Sequence, residues 1–204
     1  MKSLVVENQY FGCVSYYGAL FENSNIILEQ CEHFQKMSFR NRCVITGSNG
    51  LVSLTVPVLG GREQKQLIKD VKIDNREKWQ QQHWRTIYSC YGRSPYFEFY
   101  GDMIESFFLK EYTFLWDLNL DILNRFVKAL KITGNISFSE SFVARYGDDF
   151  SDKRNNWVPK NYRQEPVIKY NQVFEDRIGF QPNLSILDLL LCEGPNAKAL
   201  LSRY

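Results

Sequence analysis

The stretch LVVENQYFGCVSYYGALFENSNIILE, residues 4–29, decides the predicted fold. It begins with a short apolar run at residues 4–6, continues with a candidate helix at residues 16–21 and closes with a second apolar run at residues 26–28. A strand, a helix and a strand in this order form a βαβ unit, in which the two strands are parallel. The sequence therefore predicts an α/β fold that begins with such a unit.

A β-hairpin is predicted next along the chain. Residues 43–46 and 51–58 are rich in apolar and β-branched side chains, and they flank the turn Gly47-Ser48-Asn49-Gly50. Asn-Gly between two such runs is a strong hairpin signal. Larger apolar side chains alternate with other side chains in the second arm, so we expect one face of the hairpin to be buried in a mixed sheet.

Helical patterns dominate the second half of the chain. Trp79, His83, Ile87 and Tyr91 recur at every fourth position, which is typical of a buried helix face. The other predicted elements are helices at residues 102–108, 115–130 and 186–192 and a strand at residues 135–142. Residues 144–165 show no periodicity and are too long for a simple connection, so they are expected to form a functional flap or a mobile loop. The expected fold class is α/β, with an N-terminal βαβ unit and a β-hairpin in a mixed sheet, followed by a mainly helical C-terminal half.

The composition is that of an ordinary globular protein. With 204 residues, of which 44% are hydrophobic and 24% charged, disorder and coiled coil are excluded, and we expect a single domain over residues 1–204. The 25 basic and 23 acidic side chains are interspersed, so no basic face for nucleic acid is expected. No run approaches the roughly 20 apolar residues of a membrane span, and the N-terminus does not resemble a signal peptide. We therefore expect a cytoplasmic protein without a membrane span.

Neither the cysteines nor the standard sequence motifs indicate a catalytic or metal site. The five cysteines are odd in number, widely spaced and never arranged as C-x-x-C, so free buried thiols are expected rather than disulfide bonds or a zinc site. The chain also lacks the G-x-G-x-x-G, P-loop, G-x-S-x-G and H-E-x-x-H motifs. No metal site is therefore predicted, and the cofactor stays unknown.

Candidate acid–base residues lie after two predicted strands and on one predicted helix. Residues 7–12 and 29–33 should meet, because ligands of open α/β sheets bind beyond the carboxyl ends of the strands. Glu7 and His33 are therefore candidates for proton transfer or substrate binding, although such residues are as often solvated at a sheet edge. His83, on the aromatic helix face, is either a hydrogen-bonded core histidine or a general acid or base.

The segment Arg40-Asn41-Arg42, at the entry to the hairpin, is a candidate anion-binding site. Two arginines that flank an amide offer fork-shaped donors to a carboxylate or a phosphate. If the segment is extended, Arg40 and Arg42 lie on the same face. The same arginines can instead form structural ion pairs with Glu29 or Glu32.

The order of these blocks resembles the WbqC-like family, which is found among bacterial gene clusters for O-antigen and surface polysaccharides. The family opens with a motif close to Q-P-x-Y-F-P-x-x-x-Y-F, and Tyr10-Phe11 and Tyr16-Tyr17 stand at the matching spacing. The later matching blocks are residues 40–42, 49–50, 54–58, Trp79, His83, Tyr91, 95–97 and 179–190. The resemblance covers nearly the whole chain.

The opening motif also shows departures. Glu7 stands where the family has glutamine, and Asn8 and Gly12 stand where it has prolines. If the family's glutamine contacts a ligand, the neighbouring Gln9 is the candidate for that contact in this chain.

The resemblance implies a transferase that moves an aminoacyl group, glycine in the family's proposed role, to a sugar in O-antigen assembly. His83 or Glu7 would then be the base, and Arg40 and Arg42, with Asn41 between them, would hold the activated donor. The aromatic walls of the pocket would be Tyr10, Tyr16, Trp79 and Tyr91. The partner would be a small molecule, either a nucleotide-sugar or an activated amino acid. The alternative is a non-catalytic cytoplasmic protein that binds a nucleotide-sugar or a partner enzyme.

Overall fold

The N-terminal part of the computed structural model, which describes residues 2–60, 66–165 and 168–204, contains the predicted βαβ unit. Its elements are β1 (Ser3–Glu7), α1 (Val14–Glu22) and β2 (Asn25–Glu29). The two strands are parallel, with Leu4 opposite Ile26 and Val6 opposite Leu28. These four side chains lie on one face of the sheet and are fully buried, and Val5, on the opposite face, is fully buried as well, as expected of a strand that is covered on both faces. The predicted α/β class is therefore confirmed.

The predicted hairpin is also present. β3 (Arg42–Gly47) and β4 (Gly50–Thr55) are antiparallel, and the chain reverses over Ser48-Asn49. Gly50 has a φ of 128°, a conformation that L side chains rarely adopt. Glycine therefore fits this turn, as the sequence signal indicated.

Three helices follow the hairpin. They are α2 (Trp79–Tyr91), α3 (Phe97–Leu109) and α4 (Leu115–Ala129). The buried residues of α2 are Trp79, His83, Ile87 and Tyr91, the four residues that the periodicity placed on one face. Phe126 of α4 is also fully buried. Both predicted helix faces are therefore confirmed.

Two late strands complete the central sheet. β5 (Asn135–Phe138) pairs with β2, and β6 (Phe150–Asp152) pairs with β1. The strand order is β5-β2-β1-β6, and all neighbours are parallel. The hairpin forms a separate two-stranded sheet, because β5 and β6 occupy the positions beside the βαβ unit. Residues 144–165, expected to be a flap or a loop, contain the edge strand β6.

The C-terminal helices are α5 (Glu175–Ile178), α6 (Ile186–Glu193) and α7 (Ala197–Leu201). Of these, α6 and α7 pack against α1 of the N-terminal unit. Ser185 caps α6: its Oγ accepts a hydrogen bond from the backbone N–H of Leu187 (3.3 Å). The same hydroxyl donates to the backbone oxygen of Phe11 (2.8 Å), which ties the helix to the segment after β1.

Aromatic side chains fill much of the core. Phe11 lies between Phe107 and Phe126 at ring-centroid distances of 5.9 and 5.7 Å, and both pairs are edge-to-face. Aromatic residues make up 15% of the chain, and in this region they serve packing. Among the helices of the described ranges, none is long and apolar enough to cross a membrane.

Candidate functional site

Polar side chains collect at the carboxyl end of the parallel sheet. β1 ends at Glu7 and β2 ends at Glu29, and these residues are register partners. Both are buried, with exposed fractions of 1% and 0%. The segments after β1 and β2 therefore meet, as expected for this fold class. We name this site the carboxyl-edge cluster, and it comprises Glu7, Asn8, Gln9, Glu29, Glu32, Arg40, Asn119, Arg154, Asn155 and Trp157.

Glu7 is held by uncharged donors. Its Oε1 accepts a hydrogen bond from Nε2 of Gln9 (2.8 Å), and its Oε2 accepts one from the backbone N–H of Asn155 (2.8 Å). Its backbone oxygen accepts a hydrogen bond from the Tyr16 hydroxyl (3.0 Å). Asn155 has a φ of 61°, in the left-handed region that asparagine tolerates better than most residues. These contacts orient the carboxylate, and in the described part of the chain Glu7 forms no ion pair.

Glu29 is paired with a cation. Its Oε2 accepts a hydrogen bond from Nη1 of Arg154 (3.0 Å). Its Oε1 accepts from the backbone N–H of Cys31 (2.8 Å) and from Oγ of Ser139 (2.6 Å). The other side of the guanidinium donates to Asp152, with 2.6 Å between Nη2 and Oδ2. Arg154, which follows β6, therefore supplies the positive charge that compensates Glu29 at the end of β2.

Glu32 and Arg40 form a buried bidentate ion pair. Nε and Nη2 of Arg40 each lie 2.6 Å from an oxygen of the Glu32 carboxylate. Both side chains are almost fully buried. Nη2 also donates to Oδ1 of Asn155 (2.9 Å). Asn155 therefore links this ion pair to Glu7.

The buried charges of the cluster do not balance. Two guanidiniums, Arg40 and Arg154, accompany three carboxylates, Glu7, Glu29 and Glu32, which gives a formal charge of −1 when all are ionised. Burial raises the pKa of Glu32, and the hydrogen bonds and charge of Arg40 offset this only in part. Burial lowers the pKa of Arg40, but the charges of Glu7 and Glu32 outweigh burial and raise it. The guanidinium therefore stays charged in an acidic environment.

Asn8 follows Glu7 in the chain, and Trp157 packs on Tyr16, whose hydroxyl is bonded to the backbone of Glu7. Neither amide atom of Asn8 has a hydrogen-bond partner among the described residues, although the residue is only 1% exposed. Nε1 of Trp157 is likewise unpartnered, and its ring contacts Tyr16 edge-on at 5.6 Å. Buried polar atoms in proteins are nearly always hydrogen-bonded, so atoms of this kind mark a position where a ligand or water completes the site.

A cleft of about 420 Å³ borders the cluster at Glu32. It is lined by Glu32, His33, Phe34, Gln35, Lys36 and Phe142. His33, predicted to bind substrate, is exposed there. The cleft lies after β2, where the fold class places ligands. Within the described ranges, no group of three or more His, Cys, Asp or Glu side chains is arranged to hold a metal ion.

His83 contacts a different group of residues. Its Nδ1 lies 2.8 Å from the hydroxyl of Tyr10, and Trp79 packs edge-on against its ring at 5.2 Å. Burial lowers the pKa of His83 to about 4, and a hydrogen bond with the backbone of Thr55 opposes this shift only in part. The imidazole is therefore neutral at pH 7. This geometry matches the interpretation of His83 as a hydrogen-bonded core histidine.

The two arginines of the segment Arg40-Asn41-Arg42 do not act together. Arg40 precedes β3 and points its guanidinium at Glu32, whereas Arg42 begins β3. Nε of Arg42 donates to Oγ1 of Thr55 (3.1 Å) near the surface. Nδ2 of Asn41 donates to the backbone oxygen of Val56 (2.9 Å). Because the chain turns at Arg40 instead of being extended, the expected pair of parallel donors is not formed.

Tyr91, expected as an aromatic wall, belongs to a second buried network. Its hydroxyl donates to Oδ1 of Asp188 (2.7 Å), which also accepts from Oγ1 of Thr46 (3.1 Å). Oδ2 of Asp188 accepts from the Tyr170 hydroxyl (2.7 Å) and from Nε2 of Gln172 (3.0 Å). This network joins α6 to the hairpin and to α2. Of the four expected aromatic walls, Tyr16 is the one with a hydrogen bond to Glu7.

Sequence reasoning missed the residues that follow β6. Arg154 and Asn155 belong to a segment without periodicity, so nothing in their spacing places them beside β1 and β2. Trp157 was the available signal, because a tryptophan in a charged stretch needs a buried environment or a ligand. In the structure it is 2% exposed.

The comparison with protein-family models identifies the family of this chain. The model of the WbqC-like protein family matches residues 8–153. The chain is also similar to "Uncharacterized protein Rv1507c" of Mycobacterium tuberculosis (strain ATCC 25618 / H37Rv), with 25% identity over 227 residues that cover 96% of this chain and 95% of the relative. No solved structure matches the chain. Since the family model spans well over half of the chain, the protein belongs to the WbqC-like protein family.

Proposed function

We propose that the protein is a cytoplasmic transferase that moves an aminoacyl group, glycine in the simplest case, to a sugar during the synthesis of O-antigen or another surface polysaccharide. The proposal draws on membership of the WbqC-like family and on the chemistry of the carboxyl-edge cluster. The observation that carries it is the position of Glu7, a buried carboxylate at a strand end that is oriented by uncharged donors.

Glu7 is the proposed general base. The amine or hydroxyl of the acceptor attacks the carbonyl carbon of the activated aminoacyl group, and a new bond to carbon forms. The bond to the leaving group breaks, and its electron pair stays with the leaving group. Glu7 takes the proton that the acceptor loses and returns it to the leaving group. A positioned base of this kind contributes about 10²- to 10⁴-fold to the rate.

Contacts of the other titratable groups favour Glu7 over His83 as the base. His83 is hydrogen-bonded to Tyr10 and packs against Trp79, and within the described ranges it forms no hydrogen bond or ion pair with the carboxyl ends of β1 and β2. Glu32 is bound at both oxygens by Arg40, which leaves its carboxylate less available. Glu7 has the lone pairs of both oxygens only partly used, by one donor each.

Transfer of labelled glycine tests this proposal. The purified protein is incubated with ¹⁴C-glycine as glycyl-tRNA or glycyl adenylate, together with free D-glucosamine or a UDP-linked amino sugar. We expect the label to enter the sugar at a rate proportional to protein concentration, with the product identified by mass spectrometry. No transfer from either donor to either acceptor would contradict the proposal.

A non-catalytic binding protein is the second candidate. The observation that favours it is that all three buried glutamates already have protein donors, so the cluster can bind a ligand without reacting. Under this alternative, a nucleotide-sugar would bind saturably and no label would be transferred. If the UDP-linked amino sugar binds saturably to the protein and no labelled glycine is transferred to it, the result would select the binding protein over the transferase.

A further inference from the structure

The carboxyl-edge cluster concentrates buried polar atoms that lack a partner. Of the eight such side-chain atoms in the described ranges, six belong to this cluster. Three are donors, namely Nδ2 of Asn8, Nη1 of Arg40 and Nε1 of Trp157. Three are acceptors, namely Oδ1 of Asn8, Oε1 of Gln9 and Oδ1 of Asn119. The set is therefore balanced between donors and acceptors.

Several of these atoms belong to residues that contact Glu7 or Arg40. The amide of Gln9 donates to Glu7 with its nitrogen, and its oxygen is left without a donor. The amide of Asn119 donates to the backbone oxygen of Arg40 (2.7 Å), and its oxygen is likewise left without a donor. Gln9, Arg40 and Asn119 are 2%, 0% and 1% exposed. The atoms without a partner are thus inside the protein, on Arg40 and on residues that are hydrogen-bonded to Glu7 or Arg40.

A balanced set of donors and acceptors matches hydroxyl groups. Each hydroxyl of a ligand donates one hydrogen bond and accepts others, so several hydroxyls on a ring satisfy amide oxygens, amide nitrogens and a guanidinium together. The diphosphate of a nucleotide-sugar offers only acceptors at neutral pH, and it would leave the oxygens of Gln9 and Asn119 unpaired.

The formal charge of the cluster also disfavours a phosphate as its ligand. The cluster carries three buried carboxylates and two guanidiniums, so an additional anion would be repelled. Coulomb interactions are strong in a buried site of low dielectric constant. A ligand amine would instead compensate the formal charge of −1 that the two guanidiniums leave.

We propose that the carboxyl-edge cluster binds a hydroxyl-rich ring that bears an amine and no phosphate, an amino sugar, through Asn8, Gln9, Arg40, Asn119 and Trp157. The inference rests on the proposed function in treating this cluster as the acceptor site. It adds the residues that select the acceptor. Any phosphate of a nucleotide-linked sugar would lie outside the cluster, in the neighbouring cleft on the side of Lys36.

Asn8→Ala is the variant that tests the proposal. Because the Asn8 amide has no protein partner, its removal leaves no other described group unpaired, and the melting temperature should stay close to that of the parent. Asn183→Ala is the matched control, since Asn183 is equally buried but accepts from the backbone N–H of Ser15 (2.8 Å) and donates to the backbone oxygen of Tyr162 (2.6 Å). The control should melt at a lower temperature.

Binding is measured by ¹⁵N NMR titration of the full chain with D-glucosamine, D-glucose and inorganic phosphate. We expect D-glucosamine to bind more tightly than D-glucose and phosphate not to compete. Asn8→Ala should raise the Kd for D-glucosamine about tenfold, the effect of about one lost hydrogen bond. Trp157→Phe should raise it by a smaller factor, and Asn183→Ala should leave it unchanged.

The outcomes separate this inference from the proposed function. Tighter binding of phosphate, no binding of D-glucosamine, or an unchanged Kd in both Asn8→Ala and Trp157→Phe would overturn the inference. Binding of D-glucosamine as expected, without transfer of glycine, would refute the transferase and leave the inference intact. Transfer of glycine to D-glucosamine with an unchanged KM in both Asn8→Ala and Trp157→Phe would refute the inference alone.

Discussion

Glu7 and Glu29 lie directly opposite each other in the parallel register of β1 and β2, and both are buried where their strands end. Burial of two neighbouring carboxylates is unfavourable, and the fold compensates them by different means. Glu29 is paired with Arg154, whereas Glu7 is oriented by the neutral donors of Gln9 and Asn155. Glu7 is therefore the carboxylate of this pair that we assign to chemistry.

Arg40 is expected to be essential for stability. Arg40→Met removes the cation from a buried pair and leaves Glu32 without it, which should lower the free energy of unfolding by about 3 to 5 kcal/mol. Arg42→Lys is the control, because Arg42 is only half-buried and bonds near the surface to Thr55, and it should change the stability by less than about 0.5 kcal/mol. Urea unfolding at pH 7 measures both. Equal stability of Arg40→Met and the parent would show that the ion pair is not formed in solution.

His83 should make the stability depend on pH. Burial lowers its pKa from the ordinary value of 6.5 to about 4 in the folded protein, so the unfolded chain takes up the proton first as the pH falls. The contribution is fully present above pH 6.5 and is lost as the pH falls toward 4, with a total of about 3 kcal/mol. Unfolding of the parent and of His83→Gln between pH 7 and pH 4 measures the difference. If both lose stability equally over this range, His83 is not the buried neutral group described above.

Cysteine reactivity should divide the five thiols into two groups. Cys13, Cys43 and Cys192 are buried, whereas Cys31 and Cys90 are partly exposed. Burial raises the pKa of Cys13 to about 12, which disfavours its reactive thiolate. A thiol reagent should therefore titrate two cysteines quickly in the native protein and all five after denaturation. Three or fewer free thiols in denatured, unreduced protein would contradict the assignment of five free cysteines.

Phe126 should contribute strongly to the core. It is fully buried in α4 and contacts Phe11 and Tyr17 at centroid distances of 5.7 and 6.0 Å. Phe126→Ala should lower the free energy of unfolding by about 3 to 5 kcal/mol, because it removes a large side chain and leaves a cavity. Thermal and urea unfolding measure this loss. A melting temperature equal to that of the parent would contradict the packing of this helix.

Local patterns predicted most of the fold. The apolar runs before Glu7 and Glu29 predicted two parallel strands, and the rule for open α/β sheets then predicted that their ends meet. The four-residue repeat from Trp79 predicted the buried face of α2. These features depend on short stretches of chain, where periodicity carries the information.

Local sequence patterns could not predict which residues form the carboxyl-edge cluster. Asn155 contacts Glu7 from a position 148 residues further along the chain, through a three-residue strand that has no periodic signal of its own. Arg40 pairs with Glu32 because its side chain points toward that residue. The sequence does not give this direction, so Glu29 and Glu32 were equal alternatives as its partner. Both features are set by tertiary contacts, which spacing in the sequence does not encode.

The rate of glycine transfer by Glu7→Gln tests the central claim most directly. Glutamine keeps the size of the side chain but cannot take up the proton, so the rate should fall about 10²- to 10⁴-fold. Its NH2 group replaces an oxygen that accepts a hydrogen bond from Gln9 or Asn155, so the melting temperature should also fall, and the rates are compared at a temperature where the variant is folded. Glu22→Gln, at the exposed end of α1, is the control and should keep the parent rate. A Glu7→Gln protein that transfers labelled glycine to an amino sugar as fast as the parent and Glu22→Gln would contradict the assignment of Glu7 as the base.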